Sequence, residues 1–289
     1  MDISAKMVSE LRERSGAPLM DCKRALVACN TGSITEAALM DAAFDQLRKT
    51  GLKSADKRAG RATAQGRVCV KLAADGKSGA MVTLGCETDF VAATDDFNKL
   101  LGELTDLVLA KNPDNLESLG NAQLASRKAT VGDAIKECIS KSGENTQVVA
   151  IARFETAAGR VGAYVHFNQK VGALISLSTS APADKADAFL KQLGMHIASS
   201  KPTVLAREQV AADVIEREKA VYRESDDMKG KPAEKVEMIL KGKLEKFYAG
   251  IVLNEQPWVH DDKINVKSAA EKALGAGSRI ERFSLQQLG

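Results

Sequence analysis

The chain has 289 residues, 44% apolar, 27% charged and only 4% aromatic, with 41 basic and 38 acidic residues for a net charge of +3. That length exceeds one small core and predicts two or three domains of a globular protein. The charge is too small to argue nucleic-acid binding from bulk electrostatics, and no run of the sequence is apolar for long enough to cross a bilayer.

Residues 1–51 read as a very small three-helix domain. Met7, Val8 and Leu11 share a face after a Ser4 cap, and Gly16 ends that helix. Pro18 suits the first turn of a second helix carrying Met20, Ala25, Leu26 and Cys29. A third opens at Ser33-Ile34-Thr35-Glu36, which has capping-box spacing, and runs through Met40, Phe44 and Leu47 to Gly51. Residues 52–66 are poor in apolar side chains and carry Lys53, Lys57, Arg58 and Arg61, as a solvated linker does; an RNA- or ribosome-binding role for the basic stretch 53–67 is the alternative function. No aromatic lies among these charges to stack on bases.

From Arg67 the period changes to two. Val68, Val70 and Leu72 alternate, Gly76–Gly79 turns, and Met81–Leu84 runs back as a hairpin. The segment TDFV, Thr88–Val91, follows. Phe90 is a large apolar side chain at a turn, and two placements are open: packed into the chain's own core with Asp89 capping the turn, or held out for a partner. A helix then carries Phe97, Leu100, Leu101, Leu104, Leu107 and Val108, with Asp95 and Asp96 at its positive end and Pro113 after it. A helical stretch near 121–141 completes a core subdomain at 67–145.

Strands at Val148–Phe154, Val161–Phe167 and Val171–Ser178 and a helix at Asp184–Ser200 form a second subdomain, 146–203 with 249–289, so hairpin and helix occur twice. Between them, residues 204–248 read as two helices, about 206–226 and 232–248, folded back across Ser225–Lys231. An antiparallel hairpin roughly 25–30 Å long is expected. A short helix near 267–275 and a strand at Arg279–Leu285 close the chain. The fold class is α+β with antiparallel sheets.

Catalytic and cofactor patterns are missing from the sequence. Neither GxxxxGK[ST] nor a GxGxxG after a strand occurs, so no nucleotide cofactor is expected. His166, His196 and His260 share no ligand spacing, and Cys22, Cys29, Cys69, Cys86 and Cys138 lack a CxxC, so no metal site or disulfide framework is expected. Reduced thiols and the polar start MDISAKMVSELRER fit a cytoplasmic protein. A non-enzymatic protein that binds another protein is the reading from residues alone.

Four stretches, in order, resemble bacterial elongation factor Ts. LRERSGAPLMDCKRAL (Leu11–Leu26) is similar to the family pattern LRxxTGAGMMDCKKAL, and CETDFVAATDDF (Cys86–Phe97) keeps TDFV intact. MHIASSKP (Met195–Pro202) and GKLEKFYAGIVLNEQPWV (Gly242–Val259) resemble the segments flanking the family's coiled-coil arm. The resemblance implies a ubiquitin-associated-like domain at 1–51, a projecting coiled-coil hairpin, and exchange of guanine nucleotide on elongation factor Tu. The complex would be a heterodimer or a pair of heterodimers. It further implies that Asp89 and Phe90, flanked by Thr88 and Val91, wedge in near the partner's Mg²⁺ and phosphate site. Weaker contacts would come from Met20, Asp21, Lys23 and His166. Pro18-Leu19 departs from the usual Gly-Met, Phe167–Lys170 replaces a Gly-rich turn, and many members continue beyond Gly289 into a further helix.

Overall fold

The computed structural model describes residues 2–58, 60–228 and 230–289. It is a mixed helix and sheet fold of the α+β class. The chain divides into two compact units, one of residues 1–71, 80–152 and 286–289, the other of 72–79 and 153–285.

The first unit begins with α1 (Ala5–Ser15), whose cap Ser4 accepts from the Met7 amide and whose end is Gly16 in the left-handed region at φ 67°. Helices α2 (Leu19–Cys29) and α3 (Glu36–Arg58) follow. Leu11, Cys22, Leu26, Leu39 and Ala43 close a small core between them. Two sequence expectations change here. Thr35, not Ser33, caps α3, accepting from the Ala38 amide at 3.4 Å. The helix also continues past Gly51 through residues 52–58, which were expected to be linker. Gly51 is not a stop: a Cβ there would lie 2.1 Å from Oγ of Ser140 on a later helix, so the glycine permits a close approach.

Strands β1 (Gln65–Leu72) and β2 (Ser78–Cys86) are joined by five residues, too short for a parallel crossover, and form the expected hairpin. Next come α4 (Asp89–Ala92) and α5 (Asp95–Lys111). The stretch expected as one helix near 121–141 is broken: α6 (Leu116–Asn121) leads into a small antiparallel pair, β3 (Gln123–Leu124) with β4 (Ala129–Thr130), and only then α7 (Val131–Ser142). Lys128, at φ 52°, makes the turn, and Thr130 recaps the chain by accepting from the Asp133 amide. Strand β5 (Thr146–Glu155) joins β2, giving the order β1-β2-β5. Val82, Leu84, Phe97, Leu100, Leu104 and Val131 fill this core.

In the second unit β6 (Gly159–Val165) pairs antiparallel with β7 (Val171–Ser178), Val161 opposite Ser176. Helix α8 (Ala183–Ser200) packs Phe189, Leu193 and Ile197 against Ile175 and Leu177. Then come α9 (Ala212–Arg223) and α10 (Ala233–Ile251). Their contacts run antiparallel, with Arg223 facing Glu237 at the turn and Arg207 facing Glu245 at the base. The first arm helix is shorter than expected, because Arg207–Gln209 form a separate 3₁₀ turn and Ala211 is extended. Strands β8 (Pro257–Trp258) and β9 (Asp261–Asn265), helix α11 (Val266–Leu274) and strand β10 (Arg279–Gln287) complete the chain, with sheet order β10-β7-β6. Among the described residues no helix is long and apolar enough to cross a membrane.

Candidate functional site: the turn after β2

Strand β2 is buried from Gly79 to Cys86 and delivers the chain to the surface at Glu87. Thr88 has extended backbone (φ −125°, ψ 157°) and caps α4 through its hydroxyl, which accepts from the Val91 amide at 3.3 Å. Val91 and Ala92 turn inward and are buried; Asp89 and Phe90 turn outward. Phe90 is 83% exposed, so of the two placements open from the sequence, the outward one holds. The Asp89 carboxylate is exposed and has no hydrogen-bond or ion-pair partner among the described residues.

An exposed phenylalanine on a loose loop would collapse onto the nearest apolar surface. Here the turn is fixed from both sides. The Thr88 amide donates to Glu144 Oε2 at 3.0 Å, and the Thr88 hydroxyl faces both oxygens of that carboxylate at 2.9 and 3.0 Å. In the opposite sense the Asn145 amide donates to Glu87 Oε1 at 2.6 Å. Arg61 lies 3.3 Å from the same oxygen, and its carbonyl accepts from the Asn145 side chain at 2.7 Å. Residues 87–88 and 144–145 thus exchange backbone amide and carboxylate reciprocally. Beneath them the Cys86 thiol donates to the Thr88 carbonyl at 3.0 Å. Burial, with Glu144 nearby, pushes that thiol up to about 11, so it stays protonated and can donate. On the far side Thr94 caps α5 and donates its hydroxyl to the Val91 carbonyl at 2.8 Å.

The other sequence-selected residues lie elsewhere. Met20 is 62% exposed on α2, Lys23 is exposed, and Asp21 is half-buried and pairs with Arg24. His166 follows β6, half-buried, with Nδ1 3.0 Å from the Tyr164 hydroxyl. Beside it Phe167 is 88% exposed and its ring lies 4.4 Å from the imidazole. Phe167 was missed as a contact candidate. Its signal was the one that singled out Phe90, an aromatic in a turn of an aromatic-poor chain.

Two of the histidines frame Trp258. His196 is buried, Nε2 2.9 Å from Gln256 Oε1, its ring stacked 5.2 Å from Trp258. His260 is exposed, edge-on to the same indole at 5.0 Å. Among the described residues no group of three or more His, Cys, Asp or Glu could hold a metal ion. Of the basic stretch, Arg61 is paired with Glu87 and Arg67 donates to Asn98, while the Lys53 side chain lies outside the described residues. What the turn does offer is an aromatic ring and a free carboxylate, side by side and rigidly presented, as in a protein that acts by contact.

The comparisons give that class a particular member. A family model described as Elongation factor TS matches residues 87–289. Curated proteins called elongation factor Ts are similar along nearly the whole length. That of Trichlorobacter lovleyi is 39% identical over 301 residues, covering 100% of this chain and 93% of its own. That of Prosthecochloris aestuarii is 36% identical, covering 99% of each, and one from Clostridium botulinum is 39% identical, covering 96% and 90%. The chain belongs to the elongation factor Ts family.

Proposed function

We propose that the chain is a guanine-nucleotide exchange factor that binds elongation factor Tu and releases its GDP by inserting Asp89 and Phe90 near the Mg²⁺ and phosphate site. The observation that carries this is the 83% exposure of Phe90 on a turn fastened by hydrogen bonds on both sides. Exchange is a linkage problem. A factor that binds the nucleotide-free partner more tightly than the loaded one weakens nucleotide binding by the same ratio. No bond in the factor is made or broken; it needs contacts that exist only in the open partner.

Phe90 supplies such a contact. Moving a phenylalanine side chain from water into a partner pocket contributes about 1.5–3 kcal/mol, roughly a 10- to 100-fold preference for the state that has the pocket. The rigid turn lowers the ordering cost of that insertion. Asp89 brings a carboxylate with no internal partner to a site organised around a cation. Thr88 and Val91 hold the pair, one as cap and one as buried anchor. Met20, Asp21 and Lys23 on α2 form a second contact and His166 a third, and Phe167 beside His166 adds exposed aromatic surface there. The arm of α9 and α10 corresponds to the family's coiled coil, and α1–α3 to its ubiquitin-associated-like domain.

The test is stopped-flow release of fluorescent GDP from elongation factor Tu. The protein is expected to accelerate release in a saturable way. Release at the spontaneous rate in the presence of excess protein would overturn the reading.

A further inference from the structure

TDFV is held by a residue more than fifty positions away in the chain. We propose that Glu144 is a positioning residue for nucleotide exchange: its carboxylate sets the direction in which Phe90 leaves the protein. This rests on the exchange reading above. The carboxylate accepts from both the amide and the hydroxyl of Thr88, at 2.9–3.0 Å. The amide bond fixes the backbone on entry to α4. The hydroxyl bond fixes the Thr88 rotamer and, by using its proton, turns a lone pair toward the Val91 amide. Two bonds join Glu144 to Thr88 side by side and a third joins Thr88 to Val91, and Phe90 lies inside the loop that the third closes.

Glu144 is itself held. Gly143 ends α7 in the left-handed region at φ 76°, its amide returned to the Ile139 carbonyl. The Glu144 amide donates to the Ser142 hydroxyl at 3.2 Å. Next to it, Asn145 is buried and anchors the strand that follows. The carboxylate therefore projects from a capped helix end, with little freedom to follow Thr88 if the turn moved. Charge-assisted bonds of this kind are the strong ones, and this group receives them from backbone and side chain of one residue. A turn only needing closure has its own cap in the Thr88 hydroxyl; the Glu144 carboxylate adds orientation.

A double-variant cycle separates positioning from general support. Glu144→Ala, Phe90→Ala and the double variant are compared for fluorescent GDP release from elongation factor Tu at saturating factor. Glu144→Ala is expected to slow release about tenfold, the scale of a lost charge-assisted bond, and to add nothing in the Phe90→Ala background. Glu144→Gln, which keeps an acceptor oxygen for the Thr88 amide, is expected to recover part of the rate. It also stands in if the alanine variant does not fold. In the factor alone, hydrogen exchange at the Val91 amide is expected to speed up about tenfold in Glu144→Ala. Equal slowing by Glu144→Ala in both backgrounds would make the residue merely structural and overturn the inference, as would wild-type release by Glu144→Ala or Glu144→Gln showing no recovery. If the unmodified protein itself fails to accelerate release, the exchange reading falls; if it accelerates and Glu144→Ala matches it, only the positioning role falls.

Discussion

At the scale of single residues, the side chains divide into those turned outward and those spent inward. Phe90 and Phe167 leave their rings in water, at 83% and 88% exposure. His196 is the opposite case. Burial and the adjacent His260 hold its imidazole below the usual 6.5, while the bond to Gln256 raises it by less. The neutral ring donates from Nε2 to Gln256, which in turn donates to the carbonyls of Ser200 and Gly250. A base whose folded pKa is depressed takes up its proton more readily in the unfolded chain. Its contribution is complete above about pH 6.5 and is lost as pH falls toward the folded value. Urea unfolding followed by the fluorescence of Trp258, the single tryptophan, should therefore show a midpoint that drops between pH 7 and 5. His196→Asn should flatten that drop; an unchanged slope would place the titration elsewhere.

At the scale of elements, what could be read from the sequence was what local chemistry specifies. Both ends of helix α5 were legible, in Asp95 and Asp96 at its start and Pro113 beyond its end; the caps between which it runs are Thr94 and Asn112, the latter at φ 49°. Its buried face, Phe97, Leu100, Leu101, Leu104 and Val108, follows from spacing alone. Thr94→Ala removes the cap and the bond to Val91, and should cost about 1 kcal/mol of unfolding free energy, read as a lower denaturant midpoint at unchanged slope. Leu104→Ala, deep in the same core, should cost about 2–5 kcal/mol. Tertiary choices were not legible. Gly51 looked like a helix stop, but its lack of a side chain is used to let Ser140 approach. Strand β5 was grouped with its neighbours in sequence, yet it pairs with β2, because alternation specifies a face and not a partner. The shortened α9 has a similar cause. Arg207 bonds both Glu245 and Glu255 and stacks 4.4 Å from Tyr248, which draws residues 206–211 toward the start of the arm instead of into its helix. Arg207→Lys would lose the forked geometry, and faster hydrogen exchange should appear at the Thr203 and Val204 amides, which bond to Ile251 at the end of α10. Unchanged exchange there would show that the arm's base is held without Arg207.

At the scale of the whole molecule, function had to be inferred from what the chain does with its polar groups. TDFV could be located by pattern, but its hold on Glu144, 56 positions away in the chain, could not, because α5 and α7 lie between the two partners in sequence. Membership of the elongation factor Ts family and this exposed turn together point to Phe90 as presented to a partner rather than to its own core. The most direct measurement is the rate of fluorescent GDP release from elongation factor Tu at saturating wild-type or Phe90→Ala protein, with the unfolding midpoint of each recorded alongside. Release is expected to be at least about tenfold slower for Phe90→Ala, with an unfolding free energy within about 0.5 kcal/mol of wild type, as for an exposed side chain. Release as fast as wild type, or an alanine variant that loses stability as a core residue does, would contradict this reading of Phe90.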